Sequence, residues 1–148
     1  MKNTVVANNK KAFHEYHILT TFEAGIQLKG SEVKSIREGK ASLKEAYVLV
    51  RKGEAWLRGS HISSYSHTGF EGHKSVRNRK LLLHKKEIIK INSKLSEKGL
   101  TAVPLKLYLK NGLIKLEFGL AKGKKLFDKR ETKKKRDIER DIQRAMRQ

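Results

Sequence analysis

The chain contains no cysteine. Disulfide frameworks, cysteine-ligated zinc and thiol catalysis are therefore excluded, and the composition fits a reducing, cytoplasmic setting. There is a single proline, Pro104. Lacking an N–H donor, it belongs near a strand start, at an edge or at a bulge. No apolar run approaches the roughly 18–20 residues of a membrane helix, and residues 1–9 lack the apolar stretch of a signal peptide. Acidic residues are scarce: 15 Asp and Glu stand against 35 Lys and Arg, a formal net charge of +20.

That excess is spread over the whole chain. Residues 122–148 hold 12 basic and 5 acidic residues, a net +7, and residues 1–121 hold 23 and 10, a net +13. An acidic polymer, nucleic acid above all, is the first partner to consider. A merely solubilising charge excess is one alternative. A membrane surface is another, although the apolar stripe of the tail is thin for it. The hydrophobic fraction of 37% is low for a core built from the full length. It suffices for one domain if the tail stays outside.

Periodicity divides the chain into a polar, flexible segment 1–11, a body 12–121 and a basic tail 122–148 that is disordered, or helical only on a partner. Tyr16 and Ile18, then Phe22, Ala24, Ile26 and Leu28, alternate with polar residues and predict a half-buried strand. Ser31 is placed to cap a short helix carrying Val33 and Ile36 on one face, with Gly39 as its stop. Residues 43–50 and 55–62 read as a hairpin turning at Arg51-Lys52-Gly53-Glu54, and 63–76 as loop. Residues 80–98 form the best helix candidate, with a break near His84 and Gly99 at its end. Leu105, Leu107 and Leu109 alternate, Asn111-Gly112 signals a two-residue turn, and Ile114, Leu116, Phe118 and Leu120 alternate on the return. About six short strands with an inserted helix predict a mainly-β fold with helices, a small antiparallel barrel of oligonucleotide-binding type. A general α+β sheet is the alternative.

Three basic clusters stand out. Lys34 and Arg37 share one side of the short helix, open to phosphates or simply solvated. Arg77-Asn78-Arg79-Lys80 places three cations at the head of the predicted long helix, where they oppose its dipole unless an outside phosphate relieves them. Lys122-Gly123-Lys124-Lys125 joins body to tail, but the spacing of a phosphate-binding loop is missing. Glu23 is an acid on a strand of a very basic protein. It is either an ordinary exposed residue or an acceptor for base amino groups or a neighbouring arginine. The six histidines (His14, His17, His61, His67, His73 and His84) invite an acid–base nuclease reading. No paired carboxylates and no metal-type histidine spacing support it.

Several segments together resemble one family. They are Asn9-Lys10-Lys11-Ala12 with His14-Glu15-Tyr16, Phe22-Glu23-Ala24-Gly25, residues 30–39, Tyr47-Val48, residues 77–83, Lys110-Asn111-Gly112 and residues 121–125 with Asp128-Lys129-Arg130. In order and spacing the chain is similar to the SsrA-binding protein (small protein B) family from about Asn9 to about Arg136. Departures are Ser64, where the family often has proline, and Phe127, where some members have His or Tyr. The last ten residues match only in being charged and helix-prone.

The resemblance implies an oligonucleotide-binding-type barrel with no catalysis, no cofactor, no metal, no small-molecule substrate and no membrane. Its partners would be transfer-messenger RNA, clamped by its tRNA-like domain, and the ribosome. The pair would enter ribosomes stalled without a stop codon, and the tail would enter the empty mRNA channel. By motif, Asn9, Lys10, Lys11, His14, Glu23, Lys34, Arg37, Arg77, Arg79, Lys80 and Leu83 would form the RNA face. Lys122, Gly123, Lys124, Lys125, Phe127, Asp128, Lys129, Arg130, Lys133, Lys134, Lys135, Arg136, Arg140 and Arg144 would face the decoding region and channel. A generic ribosome-associated oligonucleotide-binding protein, such as an initiation-type factor, is the alternative.

Overall fold

The computed structural model describes residues 4–63 and 74–124. The elements run β1 (Thr4–Asn8), α1 (Lys10–Glu15), β2 (Tyr16–Ile26), α2 (Gly30–Arg37), β3 (Ala41–Ser42), β4 (Tyr47–Arg51), β5 (Glu54–Arg58), β6 (His61–Ile62), β7 (Arg79–Leu82), α3 (Lys85–Lys98), β8 (Thr101–Lys110) and β9 (Leu113–Gly123). The main sheet has the order β1-β8-β4-β5-β7-β2-β9, and β9 pairs back onto β8. Six antiparallel strands thus close into a ring, which removes the exposed edges an open sheet would have. β1 lies outside the ring on the part of β8 that β4 leaves free: β4 meets Ala102, whereas β1 meets residues 106–109. The expected small antiparallel barrel is what the chain forms.

Alternation explains the interior. Ala24 and Ile26 on β2, Ala55 and Leu57 on β5, and Ile114, Leu116, Phe118 and Leu120 on β9 all turn into one core. Phe22 stacks on Phe118 with ring centroids 5.6 Å apart. Both tight turns carry two successive residues in the left-handed region: Asn111 and Gly112 (φ 51° and 77°), and Lys52 and Gly53 (52° and 74°). This is the geometry that joins twisted strands without splaying them.

Five expectations need correction. Residues 1–11 are not simply a flexible lead, because Thr4–Asn8 adds a strand to β8 and Lys10–Glu15 is a helix that buries Ala12. Residues 80–82 are strand, not helix: Leu81 points into the core while Leu82 is 54% exposed. The break at His84 is in fact the helix start, where His84 and Glu87 form a reciprocal cap. The short early helix begins one residue before Ser31, with Lys29 as its cap. Leu105 does not share a face with Leu107. A register irregularity between Pro104 and Lys106 turns Leu105 into a second, smaller cluster with Ala12, Val103 and Ala121. Pro104 therefore sits at a bulge, as its missing donor predicts.

Candidate nucleic-acid interface

The barrel places the predicted residues at two ends of the long β2–β9 pair. One end gathers Glu23, Lys80 and Leu83 around an open groove of about 680 Å³, together with Leu82, His84 and Lys115. β2 delivers Glu23, the outward face of β7 delivers Lys80, and the β7–α3 link delivers Leu83 and His84. Neither His84 nor Lys115 was singled out as an interface residue from the sequence, because nothing local says that β9 and the head of α3 border one groove.

Glu23 is held in place. The Tyr108 phenol donates to its Oε2, and Lys110 Nζ lies 3.3 Å from both carboxylate oxygens. The Tyr108 hydrogen bond is the first reason its pKa falls below the ordinary carboxylate value, with burial opposing and Lys110 adding to the fall. The Tyr108 hydroxyl in turn is pushed well above its usual value, by burial first and then by Glu23. Glu23 thus presents an ionised, oriented acceptor on a cationic surface. Its holders are a tyrosine and a lysine, not the arginine that the sequence suggested.

α2 enters from the same end. Lys34 and Arg37 are exposed, and Arg37 Nη2 donates to the Gly112 carbonyl at 3.4 Å, against the β8–β9 turn. What fixes α2 there is a cluster invisible in the sequence. Glu32 and Arg79 are both fully buried. Arg79 Nε donates to Glu32 Oε2 at 2.6 Å, and its Nη1 donates to the Ser60 carbonyl and hydroxyl at 3.0 and 2.9 Å. Arg77 Nε donates to the same Oε2 at 3.0 Å, and the Lys29 N–H to Oε1 at 2.8 Å. Burial alone would raise the Glu32 pKa, but the Arg77, Lys29 and Arg79 hydrogen bonds outweigh it and bring the carboxyl to about 2. Burial draws the Arg79 guanidinium below its usual value, with Glu32 opposing.

Two expected contact residues therefore become structural. Arg79 is beneath the surface and cannot meet RNA there. Arg77 is partly exposed but committed to Glu32. The cations at 77–80 head a strand rather than a helix, so no helix dipole opposes them.

The opposite end of β2 carries the other set. At the strand rise of about 3.3 Å per residue, Tyr16 lies about 23 Å along the strand from Glu23. Here Lys10 and Lys11 are exposed on α1, and His14 is half-buried. Asn9 is buried, and its amide donates to the Pro104 carbonyl at 2.8 Å, so it anchors α1 rather than facing out. Lys122 and Gly123 pair with His17 and Tyr16, while Lys124 donates from its backbone N–H to the Glu15 carbonyl at 2.8 Å and from Nζ to the Phe13 carbonyl at 3.2 Å. The root of the tail is thereby fastened beside Lys10, Lys11 and His14. Lys125, Phe127, Asp128, Lys129, Arg130, Lys133, Lys134, Lys135, Arg136, Arg140 and Arg144 lie outside the described residues, as do His67, His73 and the tail helix predicted from the sequence.

Among the described residues, no cluster of three or more His, Cys, Asp or Glu is arranged to hold a metal ion, and no helix is long and apolar enough to cross a membrane. A family model described as "SmpB protein" matches residues 6–148. The chain belongs to the SmpB family. Similar SmpB-family relatives are the SsrA-binding proteins of Geotalea uraniireducens, 55% identical over 148 residues (100% of this chain, 98% of the relative), and of a Sulfurihydrogenibium species, 54% identical over 145 residues (98% and 95%). Among solved structures, a chain from work described as "tmRNA-SmpB: a journey to the center of the bacterial ribosome" matches with a TM-score of 0.68 at 44% identity, over 80% of this chain and 84% of that one. The SmpB assignment meets the expectation from the motifs, and the likeness of fold extends it to the barrel.

Proposed function

We propose that this chain binds the tRNA-like domain of transfer-messenger RNA and delivers it to stalled ribosomes for trans-translation, in the cytoplasm, without catalysis or cofactor. The observation that carries this reading is the likeness over most of the chain to a chain from the work on tmRNA-SmpB and the bacterial ribosome, at 44% identity. The geometry supports a division of labour. The groove end offers phosphate-binding cations (Lys34, Arg37, Lys80), an oriented acceptor (Glu23) and an apolar contact (Leu83), which suits recognition of folded RNA by shape and unstacked bases. The other end (Lys10, Lys11, His14) surrounds the point at which Lys122, Gly123 and Lys124 lead into the tail. Lys10, Lys11 and His14 continue the RNA face to this end in this reading, and from it the tail, through Lys125, Phe127–Arg130 and the later cations, enters the vacant mRNA channel.

The test compares full-length protein with a chain truncated after Phe127. Truncation leaves the fold and binding to the tRNA-like RNA nearly intact, and abolishes tagging in a reconstituted assay on stalled ribosomes. In competition, the tRNA-like RNA displaces ordinary single-stranded RNA of equal length. Tagging at full rate by the truncated chain, or no preference in the competition, refutes the reading.

A further inference from the structure

The outer face of the β4–β5 hairpin carries the only tryptophan of the chain. Ala55 and Leu57 turn into the barrel and are fully buried, so Glu54, Trp56 and Arg58 turn outward. Strand register sets Trp56 between Leu49 on β4 and Lys80 on β7, and Arg58 opposite Tyr47. A cleft of about 200 Å³ opens on this face, lined by Trp56 and Leu49 with Arg51, Lys52 and Arg58 around them. Its one carboxylate among the described residues, Glu54, is already engaged by Lys80 at 3.3 Å.

Among the described residues, the Trp56 indole N–H donates to no acceptor and its ring packs against no other aromatic ring. A half-buried indole on a rigid sheet, framed by three cations, matches what an unpaired nucleotide requires. The ring stacks on the base, whichever base it is, and the cations take the phosphates. The position adds a second argument. Glu54 lines both this cleft and the groove of Glu23, Lys80 and Leu83, so a strand of RNA leaving that groove crosses one salt bridge to reach Trp56.

We propose that Trp56 is a stacking platform for one unpaired nucleotide of the bound RNA, with Arg51 and Arg58 on its phosphates. The site rests on the RNA-binding reading above and extends its footprint onto the outer face of β4 and β5. No motif pointed to it, since a tryptophan in an alternating strand reads equally well as core.

Because Trp56 is the sole tryptophan, its emission reports on this face alone. Titrating the full chain with the tRNA-like domain of transfer-messenger RNA quenches that emission along the same curve as binding measured by filter retention. A short single-stranded oligoribonucleotide quenches it too, at higher concentration. Trp56→Ala weakens binding to the tRNA-like RNA by roughly fivefold to a hundredfold. Trp56→Phe keeps a stacking ring and stays within about threefold. Arg58→Ala weakens binding less and lowers its salt dependence by about one phosphate contact. Should Trp56→Ala fail to fold by circular dichroism, the wild-type emission and the Phe and Arg58 variants still decide. Unchanged emission at saturating RNA, or a folded Trp56→Ala chain that binds within twofold of wild type, overturns the platform and leaves the RNA-binding reading standing. Failure of the wild-type chain to retain the tRNA-like RNA on the filter overturns that reading, and the platform with it.

Discussion

Glu32→Gln removes one charge from the buried cluster that ties α2 to β7, while leaving its shape almost unchanged. The Arg79 guanidinium stays fully buried, now with a neutral amide in place of its carboxylate. Breaking a buried ion pair from one side costs about 3–5 kcal/mol, mostly the penalty of the stranded charge. An independent route gives a similar size. The Glu32 carboxyl is held at about 2 against an ordinary 4.5, and at about 1.4 kcal/mol per unit this difference is worth about 3 kcal/mol. The folded pKa is depressed, so the contribution is complete above about pH 4.5 and is lost as pH falls through about 2. The gap in stability between wild type and Glu32→Gln is therefore constant near neutrality and closes in acid. Thermal melts followed by circular dichroism check this, and a loss of about 10–20 °C at pH 7 is expected for a domain of this size. Replacing both partners, as in Glu32→Met with Arg79→Met, costs less than either single change. At temperatures where Glu32→Gln remains folded, RNA affinity also falls, because Lys34 and Arg37 are no longer fixed relative to Lys80. A melt unchanged to within about 1 kcal/mol, or a gap that persists undiminished down to about pH 2, would refute the argument that this pair fixes the RNA face.

Tyr108→Phe deletes the hydroxyl that donates to Glu23, so the Glu23 pKa rises toward its ordinary value, followed by carboxyl NMR titration, and RNA affinity drops by roughly threefold to tenfold. Ser35 is buried, and its hydroxyl has no hydrogen-bond partner among the described residues. Ser35→Ala is therefore neutral or stabilising by up to about 1 kcal/mol in denaturant unfolding, and a clear loss of stability would show that the hydroxyl is satisfied. Arg37→Ala lowers the slope of log affinity against log salt by about 0.7–0.9 if the side chain neutralises one phosphate, and an unchanged slope removes α2 from the interface.

Local periodicity by itself determined most of the barrel. The alternation at 22–26 and 114–120, the Asn111-Gly112 turn and the Gly99 helix end were readable because each depends on neighbours a few residues apart. Charge likewise pointed to an acidic polymer, and motif order to one family, without any knowledge of shape. Only the tertiary structure decided which charges are at the surface. Arg77-Asn78-Arg79-Lys80 looks like one basic patch in sequence, yet Lys80 turns outward and Arg79 inward, because strand alternation sends adjacent side chains to opposite faces. The partner that makes this burial tolerable, Glu32, is 47 residues away, and only closure of the ring brings the two together. The same holds for β1, a five-residue segment whose pairing is dictated by the part of β8 that β4 leaves open. It holds for Glu23 too, whose orientation comes from Tyr108, 85 residues distant. Hydrophobic pattern is a local property of the chain, whereas the burial of a charge depends on what the fold brings opposite it, and that is why the sequence located the strands but not the surface.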